Sequence, residues 1–193
     1  AIDNGGNLTI INSTLKNNTA KYGGAINNNN GNITIIDSNL NNNTATGQYT
    51  YGGAINNNEG GTINITQSNL TQNTATGQNY GDGGAIYNNG NLTITQSNLT
   101  QNTATGQLEG VGGAIRNSGN LTITDSNLTQ NTATGQQYNG DGGAIYNNGN
   151  LTITQSNLNN NNATGQGQYG SGYGGAIYNY YGGNLTITQS NLT

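Results

Sequence analysis

The tetrapeptide Gly-Gly-Ala-Ile occurs six times in this chain of 193 residues, and its spacing restricts the possible folds more than any other feature. The copies begin at residues 23, 52, 83, 112, 142 and 174, so they are 29 to 32 residues apart. Ala1-Ile2 matches the end of a further copy. Repeats of this length are typical of solenoids, in which each unit buries its apolar side chains by stacking on its neighbours.

Apolar residues return at fixed positions after each copy of the tetrapeptide. In one unit they are Leu92, Ile94 and Leu99, and the step from the first to the last of these positions is seven residues in every unit. An alanine recurs five residues after the last of these positions, at Ala104 in this unit. The connection between this alanine and the next Gly-Gly varies from two residues to ten. Strands of constant length joined by variable connections predict stacked coils.

The local pattern predicts strands rather than helices. Leu92-Thr93-Ile94-Thr95 alternates strictly between apolar and polar, a second strand surrounds Ile86 with Tyr87 facing outward, and a third is centred on Leu99. We therefore predict an all-β fold, a right-handed parallel β-helix (β-solenoid) of about seven coils of 24–32 residues with three short strands per coil. Residues 1–193 would form this single domain. A leucine-rich repeat and a cross-β fibril are less favoured, because no segment suits a convex helix and the corner positions are strictly kept.

Composition excludes several classes of function. The chain has no Cys and no His, so thiol and imidazole chemistry, disulfides and soft metal ligands are absent. Three basic residues against seven acidic ones give a net charge of −4, which disfavours nucleic acid as a partner. No apolar run approaches the length of a membrane helix. The acidic residues are scattered over several columns, although Asp37 and Asp125 share one, and Asp82 and Asp141 are expected to be solvated loop carboxylates. We therefore expect no enzyme, no catalytic residue, no metal site and no cofactor apart from covalent glycans.

One asparagine column predicts an internal ladder of amides. It comprises Asn18, Asn43, Asn73, Asn102, Asn131 and Asn161, each three residues after a core leucine. Inward amides at this position can bond to the next coil and to the turn backbone. A serine column at another corner, which includes Ser97, is expected to satisfy backbone groups in the same way.

Asn-x-Ser/Thr sequons are frequent and lie mostly on outward positions. The candidate glycosylation sites are Asn7, Asn12, Asn17, Asn32, Asn42, Asn64, Asn69, Asn91, Asn98, Asn120, Asn127, Asn150, Asn162, Asn184 and Asn191. In Asn91-Leu92-Thr93 the leucine belongs to the core, so the asparagine and the threonine both face solvent. This alternation of outward and inward positions predicts a rod coated with N-linked glycans. The alternative is that Asn and Thr simply suit outward strand positions and turns.

Two other outward patterns suggest binding. Thr-x-Thr pairs in the later coils resemble the arrays of ice-binding solenoids, although Ile11, Ile36 and Asn64 interrupt the earlier coils. The pairs are Thr93/Thr95, Thr122/Thr124, Thr152/Thr154 and Thr186/Thr188. Tyr87, Tyr146 and Tyr178 form a partial outward column around Arg116, which could stack on carbohydrate or shield the sheet.

The repeat as a whole resembles a known family. Gly-Gly-Ala-Ile, a Leu-x-Ile strand, a serine and a corner such as Leu99-Thr100-Gln101-Asn102 resemble the repeats of polymorphic outer membrane proteins and similar β-helical adhesin-like surface proteins. This chain has leucine at the corner where that family has phenylalanine. The resemblance implies a secreted or surface-displayed stalk and brings no catalytic residue.

These observations predict a structural segment of an extracellular fibre or a cell-surface adhesin-like stalk. The sequence begins within one repeat and stops within another, which we expect of a segment of a longer array or of a fibre subunit that stacks end to end. Expected partners are further copies, end to end or as neighbouring rods, and glycans. We expect no membrane insertion in this segment. A module that binds ice or carbohydrate through its outer face is the alternative.

Overall fold

The protein is a parallel β-solenoid, as the sequence predicts. Its computed structural model describes residues 2–58 and 60–193, so Ala1 of the partial first copy and Glu59 lie outside the described residues. All the described strands pair in parallel with the equivalent strands of neighbouring coils. Within the described ranges there is no helix that could cross a membrane.

Three sheets correspond to the three strands predicted for each coil, and each sheet contains seven strands. Sheet A follows the Gly-Gly-Ala tripeptide and comprises Ile2–Asn4, Ile26–Asn29, Ile55–Asn58, Ile86–Asn88, Ile115–Asn117, Ile145–Asn147 and Ile177–Asn179. Sheet B carries the Leu-x-Ile pattern and comprises Asn7–Ile11, Asn32–Ile36, Thr62–Thr66, Asn91–Thr95, Asn120–Thr124, Asn150–Thr154 and Asn184–Thr188. Sheet C comprises Thr14–Lys16, Asn39–Asn41, Asn69–Thr71, Asn98–Thr100, Asn127–Thr129, Asn157–Asn159 and Asn191–Leu192.

A fourth sheet, sheet D, forms from the segment that follows each internal-ladder asparagine, including much of the variable connection. It has nine strands, Thr19–Ala20, Thr44–Tyr51, Thr74–Asp82, Thr103–Gly106, Glu109–Val111, Thr132–Gly135, Gly140–Asp141, Asn162–Gly165 and Gly172–Tyr173. The Thr-Ala-Thr-Gly pattern explains it, because Ala45, Ala75 and Ala104 are fully buried while the threonines on either side face outward.

The core consists of the predicted apolar columns in strict register. Ile86 pairs with Ile115 in sheet A, Ile94 with Ile123 in sheet B, and Leu99 with Leu128 in sheet C. All six side chains have no exposed surface. Burial of isoleucine and leucine columns contributes about 1.5–3 kcal/mol for each side chain, so every coil adds stability by stacking.

Steric constraints require glycine at the first two positions of the Gly-Gly-Ala-Ile motif. Gly83 has a φ of +65°, and a Cβ there would lie 2.2 Å from the carbonyl oxygen of Ile86. A Cβ on Gly84 would lie 2.0 Å from the carbonyl oxygen of Gly113 in the next coil. The motif is therefore a tight corner at which one coil contacts the next through the backbone.

Some of the other corners with positive φ are occupied by glutamine rather than by glycine or asparagine. Gln96 and Gln101 have φ values of 49° and 56°, and glutamine takes these two corners in most of the later units. The corner bonds hold the conformation, because the main-chain N–H of Gln101 donates to the carbonyl oxygen of Thr129 at 3.0 Å.

Candidate functional site

The sequon asparagines all reach the surface of the solenoid. Fourteen of the fifteen are exposed and Asn69 is half-buried. Asn12, Asn17 and Asn42 lie at corners with φ between 47° and 57°, whereas Asn162 lies in sheet D. Most of the others lie at the first positions of the strands of sheets B and C.

The asparagines on the outer faces of sheets B and C form hydrogen-bonded ladders. The Nδ2 atom of Asn120 donates to Oδ1 of Asn91 at 2.8 Å, and Asn150 donates to Asn120 at the same distance. In sheet C, Asn127 donates to Asn98 at 3.0 Å. Each bond uses one of the two Nδ2 hydrogens, so the second remains available on the outer face.

The predicted internal column is a ladder of buried amides. Asn102 Nδ2 donates to Oδ1 of Asn131 at 3.0 Å and to the carbonyl oxygen of Leu70 at 2.9 Å. The main-chain N–H of Asn102 also donates to Oδ1 of Asn131. Equivalent side-chain bonds connect all six members, Asn18, Asn43, Asn73, Asn102, Asn131 and Asn161. The serine column acts similarly, since Ser97 donates to the carbonyl oxygen of Thr95 and accepts from the N–H of Ser68.

A second internal ladder runs along sheet A and was missed by the sequence analysis. Its members are Asn4, Asn28, Asn57, Asn88, Asn117, Asn147 and Asn179, joined through Nδ2 and Oδ1 at 2.7–2.8 Å. Each lies two residues after the isoleucine of the tetrapeptide, so strand alternation already places it on the inner face. That offset was the signal available in the sequence.

The Thr-x-Thr pairs are brought into register on sheet B. Thr93 pairs with Thr122, which pairs with Thr152, and Thr95, Thr124 and Thr154 follow the same order. Thr186 and Thr188 continue both columns. Sheet D carries a further set of paired threonines, Thr44/Thr46, Thr74/Thr76, Thr103/Thr105 and Thr132/Thr134, which the sequence analysis did not recognise as strands.

The tyrosine column is part of a longer stack that joins two sheets. Tyr87 and Tyr146 flank Arg116, whose Cζ atom lies 4.9 and 5.7 Å from their ring centroids. On the other side of Tyr87 lies Tyr51 of sheet D, with centroids 4.7 Å apart, and Tyr22 stacks on Tyr51 at 5.4 Å. The two additional rings come from the variable connections, so sequence columns could not reveal them.

Tyr178 lies at the other end of this stack. Its ring centroid is 5.5 Å from that of Tyr146. Burial raises the pKa of Tyr146 to about 12, against the opposing effect of Arg116, so its phenol stays neutral at physiological pH.

The expectation that Asp82 and Asp141 are solvated was wrong. Both are only 8% exposed, because the connections that contain them form strands of sheet D. Burial raises the pKa of each carboxyl to about 6, and Glu109 raises both further. Arg116 opposes the shift at Asp82, since its Nε lies 3.3 Å from Oδ2. The Oδ1 atoms of both aspartates are buried without a hydrogen-bond partner.

No metal-binding group of three or more acidic side chains occurs in the part of the chain that the structure describes. In sheet D, Asp82 and Asp141 share one register position, because both pair with Val111, whereas Glu109 pairs with Tyr80. The arrangement offers buried carboxylates and one ion pair at the base of the tyrosine stack.

The segment from Asp125 to Asn148 contains the main features of one coil in order. It includes the serine corner at Ser126, the ladder residues Asn131 and Asn147, and one Gly-Gly-Ala-Ile motif. Residues 125–148 match the Chlamydia polymorphic membrane protein repeat.

This match confirms the resemblance to polymorphic membrane protein repeats that the motifs suggested. The matched polymorphic membrane protein repeat spans both internal ladders, which are the structural elements that every coil reuses. Comparison with curated proteins and with solved structures found no match. The polymorphic membrane protein repeat and the β-solenoid fold together fit a structural repeat of a surface protein.

Proposed function

We propose that this chain is a rigid, non-enzymatic stalk segment of an extracellular fibre or cell-surface adhesin-like protein. The observation that carries the proposal is the match of residues 125–148 to a polymorphic membrane protein repeat, within a solenoid that repeats the same coil along its length. The family is named for membrane proteins, which supports a location at the cell surface. Its partners on this proposal are neighbouring rods, further copies end to end, and glycans.

The internal ladders support a role in which the segment acts as a stiff rod. Each coil donates two buried side-chain amides to its neighbour in addition to the backbone bonds of the sheets. Buried hydrogen bonds of this kind are strong because their donors have no water to compete for them. A rod stabilised by repeated contacts between adjacent coils resists bending without needing a large apolar core.

We propose further that the outward sequons carry N-linked glycans. Their exposure supports this, and so does the chemistry of the amide ladders on sheets B and C. Glycosylation replaces one hydrogen of Nδ2, and Asn120 uses only one hydrogen to reach Asn91. The ladder can therefore persist beneath a glycan. Adjacent coils are only about 4.8 Å apart, so bulky glycans on successive coils would collide.

Intact mass of the native protein, before and after enzymatic removal of N-linked glycans, tests this proposal. We expect the mass to fall on treatment. Peptide mapping should locate the glycans, and within one column, such as Asn91, Asn120 and Asn150, adjacent coils should rarely be occupied together. A mass that does not change on treatment would contradict glycosylation while leaving the stalk proposal intact.

The stalk proposal is tested separately by surface labelling. Antibodies raised against the folded segment should bind intact cells of the source organism, and a surface protease should remove the epitope. Labelling only after the cells are broken would overturn the cell-surface location.

The in-register threonines favour ice binding as a second candidate function. Four successive strands of sheet B present Thr-x-Thr pairs, from Thr93/Thr95 to Thr186/Thr188. Regularly spaced hydroxyl and methyl groups on a flat sheet can order water. Thermal hysteresis of the unglycosylated protein, compared with a Thr122→Lys variant, measures this directly. Equal or absent hysteresis in the two proteins would reject the threonine face as an ice-binding surface.

A further inference from the structure

A cleft opens beside the tyrosine stack, at the junction between sheets A and D. It has a volume of about 270 Å³ and is lined by Tyr22, Tyr51, Asn56, Asn58 and Tyr87. All five lining residues are uncharged, and burial raises the pKa of the Tyr51 hydroxyl, which keeps it neutral. Asn56 is the one buried member of the five, and the others are half-buried, so Asn56 forms the floor of the cleft.

The floor of the cleft presents a hydrogen-bond acceptor without a partner. Asn56 is 4% exposed, and its Nδ2 donates to Oδ1 of Asn27 at 2.7 Å, but its Oδ1 is buried and unbonded. The reason lies in the register. Asn27 and Asn56 continue an outward amide ladder of sheet A, and the next position is Tyr87, which has no amide to donate.

An unpaired acceptor of this kind indicates a donor that binds from outside the chain. Leaving a buried acceptor unsatisfied costs roughly 1–3 kcal/mol, so a ligand hydroxyl that reaches Asn56 Oδ1 gains a strong bond. The surrounding rings add apolar surface. Tyr51 and Tyr87 are inclined at 37° to each other and so form a wedge rather than a flush stack. The cleft thus combines one polar floor with aromatic walls.

The charges next to the cleft argue against a cationic ligand. Lys21 Nζ lies 4.8 Å from the ring centroid of Tyr22, and Arg116 Cζ lies 4.9 Å from that of Tyr87. Of the three tyrosines that line the cleft, Tyr22 and Tyr87 therefore already interact with a cation. A further positive charge would be repelled, and no lining residue would pair with a negative one. The ligand should therefore be neutral.

We propose that this cleft is a binding site for a neutral pyranose, held by a hydroxyl that donates to Asn56 Oδ1 and by ring C–H groups against Tyr51 and Tyr87. A pyranose has an apolar C–H face that suits the electron-rich surface of tyrosine, and hydroxyls around its rim that suit Asn56 and Asn58. The cleft lies just below the range of about 300–1,000 Å³ typical of sites for larger ligands. It therefore accepts one sugar unit, such as the end of a glycan, rather than an extended oligosaccharide. The proposal does not depend on glycosylation of the chain or on its role as a stalk.

Titration of the isotope-labelled protein, followed by its NMR amide shifts, tests the site. The probes are the methyl pyranosides of glucose, galactose, mannose and N-acetylglucosamine, with sorbitol as an acyclic polyol and choline as a cation. We expect saturable shifts with at least one pyranoside, confined to residues near Tyr22, Tyr51, Asn56, Asn58 and Tyr87. Sorbitol and choline should leave these signals unchanged.

Two variants and a control identify the groups responsible. Asn56→Ala removes the acceptor and Tyr87→Ala removes one wall, and each should weaken binding at least tenfold. Tyr49→Ala removes a tyrosine that is 39% exposed, stacks on Tyr80 and does not line the cleft, so the affinity of this variant should remain within about twofold of the parent protein. Circular dichroism establishes that each variant is folded, and if one is not, the shift map of the parent protein decides alone.

Several outcomes would overturn the proposal. These are no shift up to the solubility limit of all four pyranosides, shifts that map to another face, or binding of sorbitol or choline at the same residues. Undiminished affinity in folded Asn56→Ala would equally reject the assigned acceptor.

Discussion

The side-chain amide of Asn73 donates to Oδ1 of Asn102 at 3.0 Å, and the bond is fully buried. The same Nδ2 atom donates to the carbonyl oxygen of Leu40 at 2.8 Å. In return, Oδ1 of Asn73 accepts from both the main-chain N–H and Nδ2 of Asn43 at 3.0 Å. One asparagine therefore connects three successive coils through four hydrogen bonds, with no water required.

We expect Asn73→Ala to destabilise the protein strongly. The substitution leaves the main-chain N–H and one Nδ2 hydrogen of Asn43 without an acceptor, and it removes the donor to Asn102 Oδ1 and to the carbonyl oxygen of Leu40. Each buried group left unsatisfied costs about 1–3 kcal/mol, so the free energy of unfolding should fall by on the order of 3 kcal/mol. Urea denaturation followed by circular dichroism measures the change.

Asn98→Ala is the matched control for this ladder. Asn98 makes the same kind of amide bond, to Asn69 at 2.9 Å, but on the exposed face of sheet C. Its loss should cost less than about 0.5 kcal/mol, because water replaces the lost partner. Equal costs at positions 73 and 98 would contradict the claim that burial gives the internal ladder its strength.

Buried carboxyls should make the protein less stable as the pH rises. Asp141 has a pKa of about 6 in the folded protein, raised from 3.8 by burial and then by Glu109. Between these two values the folded state binds more protons than the unfolded state, so stability is highest below about pH 4 and is lost as the pH rises through about 6. Asp141→Asn removes the cost of the buried charge and should stabilise the protein at pH 8 by on the order of 2 kcal/mol.

Thermal melts of both proteins at pH 4, 6 and 8 check this dependence. The gain from Asp141→Asn should grow with pH. Asp82→Asn should gain less, because it also removes the partner of Arg116. Asp125→Asn, at an exposed corner, should change little at any pH. A gain from Asp141→Asn that is as large at pH 4 as at pH 8 would mean that the charge is not its cause.

Asparagine should be preferred to glutamine at the corners with positive φ. Gln101 has a φ of 56°, and the equivalent positions in two other coils are Asn42 and Asn160 at 54°. Asparagine enters the left-handed region at lower cost than glutamine, so Gln101→Asn should raise the free energy of unfolding by about 0.5 kcal/mol. Differential scanning calorimetry of Gln101→Asn can detect this. Gln107→Asn, at an exposed position without positive φ, should be neutral, and an equal gain there would contradict the conformational explanation.

The first glycine of the tetrapeptide should not tolerate a side chain. Gly83→Ala places a Cβ 2.2 Å from the carbonyl oxygen of Ile86 at a φ of +65°. Because the backbone must shift to relieve the contact, we expect a loss on the order of 3 kcal/mol, measured by chemical denaturation. Gly6→Ala, where nothing lies within 4 Å of the added carbon, should cost little. A mild effect at Gly83 would show that the corner can adapt.

The sequence predicted those parts of the structure that depend on strand alternation and constant spacing. Ile86, Ile94 and Leu99 are buried because each lies at an inward position of a short strand, and every coil repeats the offsets. The same reasoning could have placed Asn88 on the inner face. Fold class and the surface exposure of the sequons follow from these offsets alone.

The junction of sheets A and D could not be predicted in the same way. Tyr51 meets Tyr87 across a corner, and their contact depends on how a connection of variable length returns to the coil. The burial of Asp82 has the same origin, since it depends on that connection forming a strand. Offsets within one repeat carry no information on contacts between two sheets.

The internal ladders have a consequence for how the chain reaches its native pairing during folding. Because nearly every rung is the same neutral amide, Asn88 would find an equally good partner if a coil were skipped and Asn147 took the place of Asn117. The asparagine ladders thus stabilise the contact between adjacent coils but do not determine which coils pair. The ion pair between Arg116 and Asp82 lies in adjacent coils and is the one ion pair among the described residues. This ion pair favours the native pairing of its two coils, because a shifted coil would separate Arg116 from Asp82. Coils without an ion pair have no such preference and can pair with the wrong neighbour.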